Sequence, residues 1–200
     1  MKKSYFIKTF NFNLNLFMYS ILGLFLVLLS GVFASKMGTL RNFSPLSKIP
    51  DYFDKLHNSI VMATVPLVLL LMFSIVFEII SRLKKDALSN YLKSIIETFS
   101  LRRFALQSEH IDKTLPEPQS KITVNPIYHD FNRSVKKSVV AITVNPVIVF
   151  FKLPHSQQAQ KLLKEMEELL REEISSRNPD YIFSTPERIK NQLWFTGTKR

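Results

Sequence analysis

The side chains able to do chemistry are few and poorly placed for it. Four histidines, His57, His110, His129 and His155, are scattered along 200 residues, and none stands in a His-Glu-x-x-His pair that would hold zinc on one helix face. His129-Asp130 and His110-Ile111-Asp112 each set a base beside an acid able to orient it, the pairing that general-base catalysis needs. Short, polar and adjacent, they read as solvated turns. Glu165, Glu167, Glu168, Glu172 and Glu173 cluster in the manner of metal carboxylates, but Lys161 and Lys164 lie four residues before Glu165 and Glu168 and Arg171 four after Glu167, and the pattern reads as the wet face of a helix. Cysteine is absent, which excludes disulfides, thiol nucleophiles, cysteine zinc sites and a lipid-attachment cysteine. Beyond residue 81 the only glycine is Gly197, so no loop has the glycines needed to cradle a phosphate, and no Gly-x-Ser-x-Gly elbow occurs. The expectation is a chain without catalytic residues, metal or cofactor, and hence not an enzyme.

Basic residues are the remaining lead. The net charge is +11, and from Arg82 onward 20 Lys/Arg face 13 Asp/Glu, leaving +7 on that part. The candidate contact residues are Arg82, Lys84, Lys85, Arg102, Arg103, Arg133, Lys136, Lys137, Lys152, Arg188, Lys190, Lys199 and Arg200, with Trp194 beside the last group. Basic residues near an aromatic side chain suit single-stranded nucleic acid, through phosphate contact and base stacking. The same set suits anionic lipid headgroups or an acidic protein partner.

The elements that carry these residues fall into two unlike parts. No charge occurs between Lys8 and Lys36, and a second uncharged run spans Asn58 to Phe77. The apolar part of the first, Leu14 to Ala34, and the whole of the second are each about the 20 residues a helix needs to cross a hydrocarbon core. The sequence predicts a cytoplasmic N-terminus at 1–13, a transmembrane helix at 14–34, an external loop at 35–57 and a second transmembrane helix at 58–80. Lys2, Lys3, Lys8 and Arg82, Lys84, Lys85, Lys93 flank the pair, against Lys36, Arg41, Lys48 and Lys55 in the loop, which Asp51 and Asp54 dilute. The bias puts both termini in the cytoplasm. Val32-Phe33-Ala34 before Ser35 also resembles a cleavage site, so removal of the first segment as a signal peptide is an alternative. Pro66 predicts a local kink in the second span, and Glu78, four residues before Arg82, predicts a carboxylate snorkelling to the interface.

After the membrane, residues 81–108 predict a basic amphipathic helix continuing from the second span, with Leu88, Leu92, Ile95 and Phe99 as its stripe and Tyr91 and Ile96 on a neighbouring line. It could lie on an anionic leaflet, form a self-association stalk, or pack on its own domain. A linker at 109–120 carries Pro116 and Pro118. Residues 121–200 predict a small α+β domain: strands, one long amphipathic helix, strands. Ile122-Thr123-Val124-Asn125-Pro126 recurs as Ile142-Thr143-Val144-Asn145-Pro146, and both copies read as strands stopped by Asn-Pro. Ser138–Leu153 is the strongest strand region. Ser156 caps a helix of about 20 residues with Ala159, Leu162, Leu163, Met166, Leu169, Leu170 and Ile174 as its apolar stripe. Tyr181–Phe183 and Gln192–Phe195 are two further strands.

The hydrophobic hairpin Leu14–Ile80, the basic exit Arg82-Leu83-Lys84-Lys85 and the α+β unit around Val144–Leu153 and Gln158–Ile174 resemble the membrane-anchor region of FtsK/SpoIIIE-type coupling proteins from conjugative elements of Gram-positive bacteria. The motor and its nucleotide-binding loops are missing, so the resemblance carries over no catalytic residue. It implies a multi-pass cell-membrane accessory, a separately encoded anchor or a remnant, in a DNA-transfer or envelope-associated assembly. Its partners would be the lipid bilayer and a protein or a second copy, with nucleic acid possible. A membrane tether that binds nucleic acid directly and a regulatory subunit of a membrane ATPase are the alternatives.

Overall fold

The computed structural model describes residues 4–42, 44–83, 86–108 and 125–200. Lys84, Lys85, the linker at 109–120 and the first Ile-Thr-Val of the repeat lie outside them. The chain forms two compact units. One is Lys8–Ser81; the other joins the residues up to Ile7 to Arg82–Arg200.

The first unit is a helical hairpin. Helix α1 runs Tyr5–Met37 and helix α2 runs Ile49–Leu83. Both are long and apolar enough to cross a membrane. Each extends well past the apolar run that announced it, so the connection shrinks from the expected 35–57 to two 3₁₀ turns, Gly38–Asn42 and Ser44–Leu46. Helix hydrogen bonds do not stop where hydropathy stops. Pro66 lies inside α2, which continues through it as one helix.

Small and polar side chains hold the hairpin together. Ser74 Oγ donates to Asn13 Oδ1 at 2.7 Å, and Ser30 Oγ lies 2.9 Å from His57 Nδ1. A Cβ added at Gly23 would meet Thr64 at 2.8 Å, and one at Gly31 would meet the His57 ring at 3.3 Å. As the α1 number rises from Asn13 through Gly23 to Gly31, its α2 partner falls from Ser74 through Thr64 to His57, which defines an antiparallel pair. Close approach at glycine, with hydroxyls at the contact, is how helices pack where no hydrophobic drive separates inside from outside. Glu78 is 3% exposed. Its carboxyl is enclosed and does not snorkel outward as expected.

The second unit is built on a five-stranded antiparallel sheet. Strands β1 (Val139–Ile142), β2 (Val147–Lys152), β5 (Gln192–Lys199) and β3 (Tyr181–Phe183) follow in that spatial order. Strand β4 (Glu187–Ile189) pairs with β5 further along, on the same side as β3. Helices α4 (Pro126–Val135), α5 (Gln157–Glu165) and α6 (Glu167–Arg177) supply the rest of the core, in which Phe131, Val147, Val149, Phe151, Leu163, Leu170 and Phe195 are buried.

Three expectations change here. The second Asn-Pro makes the β1–β2 turn, as expected of a strand stop, but the first does not close a strand. Asn125 caps α4, its Oδ1 accepting from Ile127 N at 3.0 Å, with Pro126 in the first turn. Proline there costs nothing, because its missing N–H would have no helical partner. The long helix after Ser156 breaks at Met166 into α5 and α6. The helix expected to continue from the second span is separate: α3 runs Leu88–Ala105, and the chain turns at Asp86, whose Oδ1 accepts from Ala87 N and Asn90 Nδ2.

Candidate functional site

Helix α3 is the element that distinguishes this domain, because it packs with the wrong face by ordinary hydrophobic reasoning. Ser94, Thr98, Leu101, Arg102 and Ala105 are buried. Leu88, Leu92, Ile96 and Phe99 are exposed. The buried face lies along β1, the edge strand of the sheet.

An edge strand carries a row of backbone groups with no neighbouring strand to pair them. In β1 those groups belong to Val140 and Ile142, since each antiparallel ladder alternates the direction of its N–H and C=O pairs. Side chains of α3 take them. Thr98 Oγ1 accepts from Val140 N at 2.9 Å and lies 3.3 Å from Val140 O. Ser94 Oγ accepts from Ile142 N at 2.9 Å and lies 3.3 Å from Ile142 O. Arg102 Nε and Nη2 donate to Ser138 O at 3.0 and 2.7 Å. The match is geometric. Four residues of helix rise about 6.0 Å, and two residues of strand rise about 6.8 Å. Residues 94, 98 and 102 thus face 142, 140 and 138. Burial pushes the Arg102 guanidinium down to about 10.

Arg82 closes the lower end of this seam. Its Nη1 donates to Ile142 O at 3.1 Å and lies 3.6 Å from Asp86 Oδ2. Its guanidinium carbon sits 4.8 Å from the Phe6 ring centre and 5.3 Å from that of Tyr91, and the two rings meet edge to face at 5.7 Å. Cation–π contact with two rings in a buried place outweighs what either ring would give in water. The first turn of α1, the last turn of α2 and the first turns of α3 therefore meet at one arginine.

The expected contact residues divide accordingly. Arg82 and Arg102 are buried structural ties, not free surface cations. Trp194 is 2% exposed and stacks edge to face on Phe150 at 5.1 Å, so it offers no platform for a base. Phe195 beside it is also buried. The aromatic half of the nucleic-acid expectation is thereby lost: alternation in β5 sends the two side chains to opposite faces of the sheet, and both faces are covered there.

Arg133, Lys136, Lys137 and Lys152 do come together. Arg133 lies in the last turn of α4, and Lys136 caps it. The β1–β2 register pairs Val139 with Phe150, and carried outward it sets Lys137 opposite Lys152. Like charges opposed across strands repel. Partial burial, with Lys152 and Arg133 close by, pushes the Lys137 amine down from its ordinary value. Asp130, in the same helix, is engaged elsewhere: burial opposes its ionisation, but hydrogen bonds from Ser156 and His155 outweigh it and hold the carboxyl below the usual range. Arg188 stands apart, donating to Gln160 Oε1 at 3.0 Å over an open groove lined by Lys161, Lys164 and Glu167. Lys190 occupies the β4–β5 turn with φ 55°, and Lys199 and Arg200 are exposed at the end of β5. Arg103 is exposed on α3.

No group of three or more metal-ligating side chains converges among the described residues. Sequence reasoning missed the α3–β1 seam. The signal was present as Ser94, Thr98 and Arg102 at spacing four, but it acquires meaning only beside an edge strand. No family model, curated protein or solved structure matches the chain.

Proposed function

We propose that this chain is a non-enzymatic membrane anchor: the hairpin crosses a cell membrane, and the α+β unit stands on its cytoplasmic side as an interaction domain. One observation carries the reading. In the hairpin the buried positions include Ser20, Thr64, Ser74 and Glu78, whereas Phe25, Leu28, Met62, Leu69 and Phe73 are exposed. Two such helices in water would expose far more contiguous apolar surface than a soluble monomer tolerates. In lipid the same arrangement is favourable. The joint at Arg82 supports a cytoplasmic domain and N-terminus together, since Phe6 and Arg82 meet in one unit and the flanking lysines and arginines favour the inner face.

The partner would be acidic, and the ridge of Arg133, Lys136, Lys137 and Lys152 is the surface offered to it. An accessory role in a DNA-transfer or envelope-associated assembly follows from the resemblance to coupling-protein anchors. A membrane ATPase recovered with the chain from detergent extracts would favour a regulatory-subunit role. The ridge also suits phosphates, so a nucleic-acid tether is the second reading, acting by charge alone.

Fusion of a reporter active only in the cytoplasm to the C-terminus tests the anchor. Activity in the membrane fraction that resists carbonate extraction is expected; an inactive reporter on a stably accumulated, membrane-bound chain overturns the topology. For the tether, the full chain in detergent should bind single- and double-stranded DNA with affinity falling steeply in salt, and loss of that binding in Lys137→Glu with Lys152→Glu would assign it to the ridge.

A further inference from the structure

We propose that α3 is an interfacial helix whose outward stripe, Leu88, Leu92, Ile96 and Phe99, rests on an anionic lipid leaflet. This rests on the reading that the hairpin spans the bilayer. Ile96 is 61% exposed and Phe99 45% exposed, while hydroxyls occupy the buried side of the same helix. Elsewhere in the α+β unit, exposed large apolar residues such as Val144, Leu169 and Ile182 stand singly; on α3 four align at spacings of three and four. The helix is inverted in the same sense as the hairpin, with polar groups in and apolar groups out. A protein surface in water gains nothing from that inversion, whereas the boundary between headgroups and acyl chains favours it.

Two further features select lipid as the occupant. Leu88 follows the end of α2 at Leu83 by five residues, a reach of at most about 18 Å fully extended. Tyr91 is also fixed against Phe6 and Arg82, at the ends of both long helices. The stripe therefore cannot leave the neighbourhood of the bilayer. Its charge is complementary too. On a 100° wheel Arg103 falls within the stripe and Lys93 on its flank, while Glu97 falls on the far side. Each basic residue near an anionic surface strengthens attachment. Side chains of this length let the stem lie with the apolar stripe while the charge reaches the headgroups.

The absence of cysteine makes a direct test available. Single cysteines at Ile96→Cys, Phe99→Cys, Leu28→Cys and Glu172→Cys are labelled with a polarity-sensitive fluorophore. The full chain is then reconstituted in phosphatidylcholine vesicles with and without phosphatidylglycerol. Lipids brominated at different acyl depths are the quencher. The expected result is strong quenching at Leu28 by deep bromines, strong quenching at Ile96 and Phe99 by shallow bromines, and little at Glu172. Omitting phosphatidylglycerol should reduce the Ile96 and Phe99 signals by about half or more. A water-like Ile96 probe with a deeply quenched Leu28 probe overturns the interfacial helix and leaves the anchor standing. A water-like Leu28 probe overturns the anchor reading and this proposal with it. Efficient disulfide linkage of unlabelled Ile96→Cys between two copies overturns lipid as the occupant in favour of a dimer. Circular dichroism of each variant checks the fold, and because all four positions are exposed, a native spectrum is expected.

Discussion

In the hairpin Ser20, Thr64, Ser74 and Glu78 are inside while Leu28, Leu69 and Phe73 face out; in the α+β unit Phe131, Phe151, Phe195 and Trp194 are inside while the lysines and glutamates of α5 and α6 face out. The residue types are shared, and only the face on which they lie differs. Burial thus has a different meaning in each region. Around the sheet it removes apolar surface from water, at roughly 25 cal/mol per Å². In the hairpin it brings two backbones close enough for a serine to reach an asparagine and for a glycine to admit a histidine ring. Helix α3 belongs to the sheet by its hydrogen bonds and to the hairpin by its pattern.

The sharpest way to break this contrast is to truncate one aromatic in each region. Phe195→Ala, at a position 0% exposed, should cost about 3–5 kcal/mol. Phe73→Ala, at a position 70% exposed, should change stability by less than about 0.5 kcal/mol. Chemical denaturation of the full chain in detergent, followed by near-ultraviolet dichroism, measures both. Equal losses would mean that the two regions are built alike. Next, Thr98→Val keeps the shape of α3 but leaves the Val140 N–H and C=O without their partner, at a cost of about 1–3 kcal/mol by the same assay. Ile96→Ser, on the outward side of the helix, should lower denaturation stability by much less.

The hairpin was visible in the sequence because two long uncharged runs admit few other readings. The strands were visible because β-branched residues crowd Val139–Phe151. The α3 face was only partly legible. Periodicity left Leu88, Leu92, Ile95 and Phe99 open to a leaflet, a second copy or the domain itself, and only the unpaired edge of β1 makes two hydroxyls and a guanidinium the better buried face. Trp194 failed for a related reason: basic neighbours in sequence said nothing about which way β5 would turn it. The break at Met166 had no signal, since Leu162, Met166 and Leu170 continue the helical period across it.

Smaller effects refine the comparison. Gly23→Val should force the hairpin apart against Thr64, at about 1–3 kcal/mol. It is read as loss of disulfide formation between cysteines placed at Asn13 and Ser74. Lys190→Gly should stabilise the α+β unit by up to about 1 kcal/mol, because glycine accepts the left-handed turn that lysine occupies. The smallest effect concerns acid. The folded Asp130 carboxyl lies below its ordinary value, so its contribution is complete above the unfolded carboxylate range, about 3.9, and is lost as pH falls through the folded value. Asp130→Asn should slightly lower the neutral plateau of a melting-temperature profile and flatten its acid limb.

The seam between α3 and β1 has a kinetic consequence. Strand amides inside a sheet are released to deuterium only when strands separate. Those of Val140 and Ile142 are held by two hydroxyls on a helix, so they are released whenever that helix lifts. Their exchange rates would then act as a clock for α3 alone, running at a rate of its own against the amides that β2 shares with β5.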